Sequence, residues 1–248
     1  MNQAKRIIKD IAHRPWDLPQ GKWTYYQEWN RTLFLHWKIP TDILQPFVPR
    51  GLVLDKFDNK TWVSLVAFTM EKIRPSGLPS IPAISDFHEL NLRTYATLEG
   101  KPGVYFLHLF AQRYFSGWLA KMLSGLPYEK SEIRRTHDDA RQIYSVFNAK
   151  RAFKLNAEFI VGNGIEFKSA LDNWLTERYC LYFDQANNLF RYEIQHSEWM
   201  LKHINLKRLT LDSRLQHFPF ERMPDLTHYS EGVKVLAWPR RLVKSDLS

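Results

Sequence analysis

Apolar residues in this chain recur mostly at every second position, the spacing of strands, and only briefly at helical spacing. Leu33, Leu35, Trp37 and Ile39 share one face of a run whose other face carries Phe34, His36 and Lys38. Trp62 to Met70 is almost continuously apolar and predicts a central strand. Glu89 to Leu98 and Val104 to Ala111 predict a hairpin through Gly100-Lys101-Pro102-Gly103, and a second hairpin is predicted to turn on Asn163-Gly164, between Leu155–Val161 and Ile165–Lys168. Further strands are predicted at Gln142–Phe147, Arg178–Phe183, Leu189–Gln195, Leu206–Leu211 and Val233–Trp238.

Helices are few and short. Ala4, Ile7, Ile8 and Ile11 predict an amphipathic segment within residues 1–14, which Pro15 and Pro19 end. Pro40-Thr41-Asp42 predicts a capped helix that stops near Gly51, and Phe115 to Leu123 predicts another. The Pro-, Ser- and Gly-rich stretch from Arg74 to Ser85 predicts a long ordered loop of the kind that serves as a lid or as a binding loop. Many short strands with few helices predict one mainly β (α+β) domain spanning residues 1–248, either a barrel or a sandwich.

Composition narrows the function. One cysteine, Cys180, leaves no intramolecular disulfide, and the start lacks an apolar signal core, so a cytoplasmic location is expected. No apolar run approaches the ~18 residues of a membrane span. The formal charge is +9, but Lys and Arg are spread along the chain, and no zinc-finger, helix-turn-helix or RNP pattern accompanies them. Neither a nucleic-acid nor a membrane partner is expected. The histidines lack metal-ligand spacing, and neither a Gly-rich phosphate loop nor a serine-hydrolase elbow occurs. No metal or cofactor is expected.

The Glu89 strand carries the candidate chemistry. Glu89, Asn91, Arg93 and Tyr95 share one face, opposite Leu90, Leu92, Thr94 and Ala96. On a half-exposed sheet the charges would face water. The next strand, however, is apolar on both faces, as in sheets covered on both sides. Glu89 and Arg93 are then buried, and buried charges are normally paired or functional.

Along nearly its whole length the chain resembles the YqjF-like bacterial family. The resemblance is carried by His13-Arg14-Pro15-Trp16, Phe34-Leu35-His36-Trp37, Leu44 to Leu52, Glu89 to Tyr95, Gly100 to Val104, Gly125 to Tyr128 and Leu175 to Tyr179. That family in turn resembles acetoacetate decarboxylase, which implies a closed β-barrel or cone around a central pocket. The second resemblance places the decarboxylase's active-site arginine on Arg31 and one pocket glutamate on Glu89. Its two lysines fall on Tyr128 and Glu129, with Lys130 displaced by two. Tyrosine cannot form an imine, so a Schiff-base decarboxylase is not expected. The other pocket glutamate falls in Trp62–Met70, which holds no acid before Glu71.

Together these imply a pocket for a small, anionic carboxylate or carbonyl compound. Glu89 and Tyr128 are the catalytic candidates, as general acid or base and as oxyanion or ligand donor. Arg31, Asn91, Arg93 and His108 are the ligand-binding candidates. The chemistry would be lyase-, hydratase- or isomerase-like. The alternative is a non-catalytic sensor or carrier using the same pocket. A third reading makes Glu89 and Arg93 an ion pair in a filled barrel, and a cavity of ~300 Å3 beside Glu89 would argue against it. A homo-oligomer is an expectation from the decarboxylase resemblance.

Overall fold

The computed structural model describes residues 3–115, 126–138, 141–213, 215, 218, 220 and 222–245. Its long strands are β1 (Tyr25–Ile39), β3 (Thr61–Pro75), β4 (Phe87–Leu98) and β5 (Lys101–Ala111), with the two-residue β2 (Val53–Leu54) beside β4. Then come β6 (Tyr128–Lys130), β7 (Glu132–Asp138), β8 (Arg141–Asn148), β9 (Phe153–Gly164), β10 (Cys180–Gln185), β11 (Asn188–His196), β12 (Lys202–Ser213), β13 (Leu226–Ala237) and β14 (Arg241–Lys244).

Seven of these strands close on themselves. β1 pairs with β3, β3 with β4, and β4 with β5; β5 lies parallel to β10, which pairs with β11. β11 meets β13, and β13 returns to β1. Closure leaves the ring without an open seam, and the free edges of the sheet lie at β14 and β7. From β13 the sheet continues outward through β12, β9, β8 and β7, and this wing folds over one side of the ring. Leu33, Leu35, Trp37, Val63, Leu65, Leu90 and Leu92 face the wing and pack with Ile133, Tyr144, Phe153, Leu155 and Phe159. The opposite faces of the same strands, including Phe34, Val66 and Phe68, form the ring interior. Both faces of β1, β3 and β4 are thus apolar environments, which is why their sequences lack simple polar and apolar alternation.

The structure revises several sequence expectations. The β4–β5 hairpin turns on Glu99 and Gly100, both with positive φ (54° and 70°), so Lys101 to Gly103 belong to the strand. Asn163-Gly164 is no hairpin turn: β9 continues through it with a register shift between Val161 and Gly164, and Gly164 pairs with Lys202 of β12. The chain then enters the helix Ala170–Thr176, started by a reciprocal capping box between Ser169 and Asp172. Helix Thr41–Leu44 forms where expected but has no side-chain cap. The Arg74–Ser85 stretch begins inside β3 and ends in the helix Pro82–Ser85. Of the helix expected at Phe115–Leu123, residues 116–123 lie outside the described residues. Among the described residues no helix is long and apolar enough to cross a membrane.

Candidate functional site

Burial of both sheet faces forces the polar residues of β4 into the ring. Glu89, Asn91 and Arg93 point inward, opposite Ala111, Leu109 and Phe106 of β5. They line a cavity of about 70 Å3. That is room for roughly five waters, well below the ~300 Å3 expected of a drug-sized site. Large side chains account for the difference: Trp29 of β1, Phe68 of β3, Phe106 of β5 and Trp199 after β11 all line it.

Glu89 is 3% exposed. Its Oε2 accepts from the Tyr128 hydroxyl at 2.7 Å, and its Oε1 from Asn91 Nδ2 at 3.4 Å. Burial pushes its carboxyl up to about 7, opposed by the Tyr128 and Asn91 hydrogen bonds and by the charge of Arg93. The Tyr128 phenol is held well above its ordinary range by desolvation and then by the Glu89 charge, so it remains a donor. Its single proton is donated to Glu89 in this arrangement.

Arg93 is buried, 7% exposed, and among the described residues no carboxylate lies within 4.0 Å of it. The expected Glu89–Arg93 ion pair is therefore not formed. Its Nε, the Oδ1 of Asn91 and the Oγ1 of Thr32 are all buried without a hydrogen-bond partner, and all three residues line the cavity. Buried polar atoms are rarely left unpaired. Here three of them surround one small space.

The other candidates lie elsewhere. Arg31 occupies a bulge in β1 with φ 53°, and its guanidinium pairs with Glu71 outside the cavity lining. The bulge turns Arg31 away, and Glu71 takes its charge. His108 is separated from Phe106 by an irregularity opposite Leu92 and Arg93, so it follows Leu92 to the wing side. There it stacks on Phe110 at 5.9 Å, with Nδ1 4.0 Å from Glu129. Lys130 is exposed, with Nζ 4.8 Å above the Tyr114 ring, and no lysine lines the cavity among the described residues. No cluster of three or more His, Cys, Asp or Glu able to hold a metal occurs among the described residues.

Sequence reasoning missed Gln27, Trp29, Thr32, Tyr192 and Trp199. The first three belong to the part of β1 before Leu33, where the bulge breaks the alternation that would have marked a strand. Trp199 enters from a loop and carries no local signal.

The closed ring, with β4 lending its polar face to the interior, is an acetoacetate-decarboxylase-like fold. Acetoacetate decarboxylase itself superposes with a TM-score of 0.62 at 15% identity, over 98% of this chain and 99% of that one. The enduracididine biosynthesis enzyme MppR, complexed with pyruvate, gives 0.61 at 13% identity, over 93% and 94%. In sequence the chain belongs to the DUF2071 family, described as an uncharacterized conserved protein, whose profile matches residues 26–234. It is 33% identical over 228 residues to the uncharacterized protein YqjF of Bacillus subtilis (strain 168), covering 90% of this chain and 94% of that protein.

Proposed function

We propose that the ring cavity binds a small monocarboxylate bearing a carbonyl group, with Arg93 holding the carboxylate and Glu89 exchanging a proton with the bound molecule. The observation that carries this reading is Arg93, buried in the cavity wall with no carboxylate within 4.0 Å among the described residues and its Nε without an acceptor, beside the equally buried Glu89, whose carboxyl burial pushes up to about 7. A guanidinium fork is the natural partner of a carboxylate. A group titrating near the working pH serves as acid or base with little penalty in either direction. The cavity volume restricts the ligand to a few heavy atoms. Pyruvate, present in the MppR complex, is of that size and class.

Imine chemistry is not part of the proposal, because Tyr128 stands at the wall where an amine would be needed and no lysine reaches the cavity among the described residues. The proton transfer would instead act directly on carbon or oxygen beside the carbonyl, as in hydratase, lyase or isomerase steps.

A thermal-shift panel of keto, hydroxy and unsaturated carboxylic acids, run on wild type and Arg93→Ala, tests the binding. A ligand at a hundredfold excess over Kd adds ~2.7 kcal/mol of stability. Stabilisation of wild type but not of folded Arg93→Ala supports the anion site, and an equal response of both contradicts it. Deuterium exchange at the pyruvate methyl in D2O then separates catalysis from binding. An enzyme accelerates it and Glu89→Gln loses the acceleration, whereas a carrier binds without exchange.

A further inference from the structure

Behind the cavity, toward the end of the ring covered by helix Ala170–Thr176, runs an unbroken line of polar contacts. Asp172 Oδ1 lies 2.9 Å from His228 Nε2, His228 Nδ1 lies 3.3 Å from His36 Nε2, and His36 Nδ1 lies 2.6 Å from Ser64 Oγ. Ser64 Oγ lies 2.6 Å from the Tyr95 hydroxyl. Ser64, His36 and Tyr95 are 0% exposed and His228 is 1% exposed. Tyr95 and Phe34 rings each lie 5.9 Å from the Arg93 guanidinium carbon, and Phe34 stacks on His36 at 5.9 Å. None of Asp172, His228, His36, Ser64 or Tyr95 lines the cavity.

The chain of contacts has one direction. Asp172 Oδ2 already accepts from the Ser169 backbone N–H at 2.8 Å, and the ionised carboxylate can only accept at Oδ1. His228 must donate there from Nε2. Burial holds both imidazoles neutral, so His228 Nδ1 is an acceptor and His36 donates to it from Nε2. His36 Nδ1 then accepts from the Ser64 hydroxyl, and Ser64 in turn accepts from the Tyr95 hydroxyl. Tyr95 has spent its proton on Ser64. Toward Arg93, whose guanidinium carbon lies 5.9 Å from its ring, it presents the ring face and the lone pairs of its oxygen.

We infer that the Asp172–His228–His36–Ser64–Tyr95 line is a positioning relay that presents the Tyr95 oxygen as an acceptor toward Arg93 and so orients the guanidinium for the ligand. The inference rests on the reading of Arg93 as the anion-binding group, but its first two readouts need no ligand.

Asp172→Asn is the decisive variant. Ser169 N–H demands that the amide oxygen stay on its side, so the NH2 group turns to His228. That forces the proton of His228 to Nδ1, of His36 to Nδ1 and of Ser64 toward Tyr95, whose own proton is displaced toward the Arg93 cation. Imidazole 15N spectra should show His36 and His228 protonated on Nε2 in wild type and on Nδ1 in Asp172→Asn. The Arg93 Nε–H signal, assigned by its loss in Arg93→Lys, should move in Asp172→Asn and also in Tyr95→Phe, which alters the relay at its other end. Pyruvate affinity should fall about tenfold in both, the scale of one hydrogen bond to a charged group.

Nδ1 protonation of either histidine in wild type overturns the relay. So does an Arg93 signal unchanged in both variants. A moving Arg93 signal in a protein that binds no carboxylate upholds the relay and overturns the anion-binding reading instead.

Discussion

Arg14 and Arg93 are both buried arginines, and the fold treats them oppositely. Arg14, with a side chain 1% exposed, donates to the Ile194 carbonyl at 2.6 Å, to Gln195 Oε1 at 3.1 Å and to Glu193 Oε2 at 3.3 Å. Its guanidinium also lies 4.9 Å from the Trp16 ring and 5.1 Å from that of Tyr179. Glu193 is tied further to Lys101 at 2.8 Å and to Trp16 Nε1 at 3.0 Å. Arg93 has aromatic neighbours too, but no carboxylate within reach among the described residues. Both leave Nε without an acceptor. The difference is at the terminal nitrogens, where Arg14 is satisfied by its own protein. A buried cation that serves architecture is given its anion; Arg93 faces a cavity where an anion could come from outside.

Mutation should separate the two arginines, with the greatest change at Arg14. Arg14→Ala leaves Glu193 without one of its cations and frees the N-terminal segment, so urea denaturation should show a loss of about 3–5 kcal/mol. A loss under 1 kcal/mol would deny Arg14 its architectural role.

Glu89 comes next. Burial pushes its carboxyl up to about 7 in the fold, against about 4.3 in the unfolded chain, so the folded state binds the extra proton between those values. The contribution is fully present below about pH 4 and is lost as pH rises through 7, amounting to about 4 kcal/mol. Wild-type stability should therefore decline from pH 5 to 8 relative to Glu89→Gln. Parallel pH profiles would mean that the carboxyl is not desolvated.

Two substitutions beside the cavity should have milder effects. Arg93→Met exchanges a buried cation that has no protein carboxylate for an apolar side chain of similar length, and should raise stability by about 1–2 kcal/mol. Destabilisation of similar size would mean that Tyr95 and Phe34 alone compensate the buried charge. Tyr128→Phe removes a hydrogen bond that favours the Glu89 carboxylate, and should move the Glu89 titration up by about 1 pH unit, read from the side-chain carbon by NMR. An unchanged titration would break the link between the two.

The ring strands were legible because period-two patterns and apolar runs survive even when both faces are covered. Alternation also put Glu89, Asn91 and Arg93 on one face, and the two-sided character of β5 correctly implied that this face is interior. Features that depend on a single extra residue were not legible. The bulge that separates Phe106 from His108, and the one that turns Arg31 toward Glu71, change which side a residue faces without changing the residues themselves. Asn163-Gly164 shows the converse, a strong turn dipeptide overridden because β12 supplies hydrogen bonds along β9. Contacts between distant segments, such as Asp172 on His228 or Trp199 in the cavity wall, leave no periodic trace.

If Arg93 is kept without a protein anion so that a ligand can supply one, removing its charge must abolish binding without harming the fold. Calorimetric titration of pyruvate into wild type and Arg93→Met, with the stability of both measured in the same buffer, examines both halves of that statement at once. Binding by wild type alone, together with a variant at least as stable as wild type, is the expected result. Equal binding by the two proteins, or a variant that loses stability without wild type ever binding a carboxylate, would contradict it.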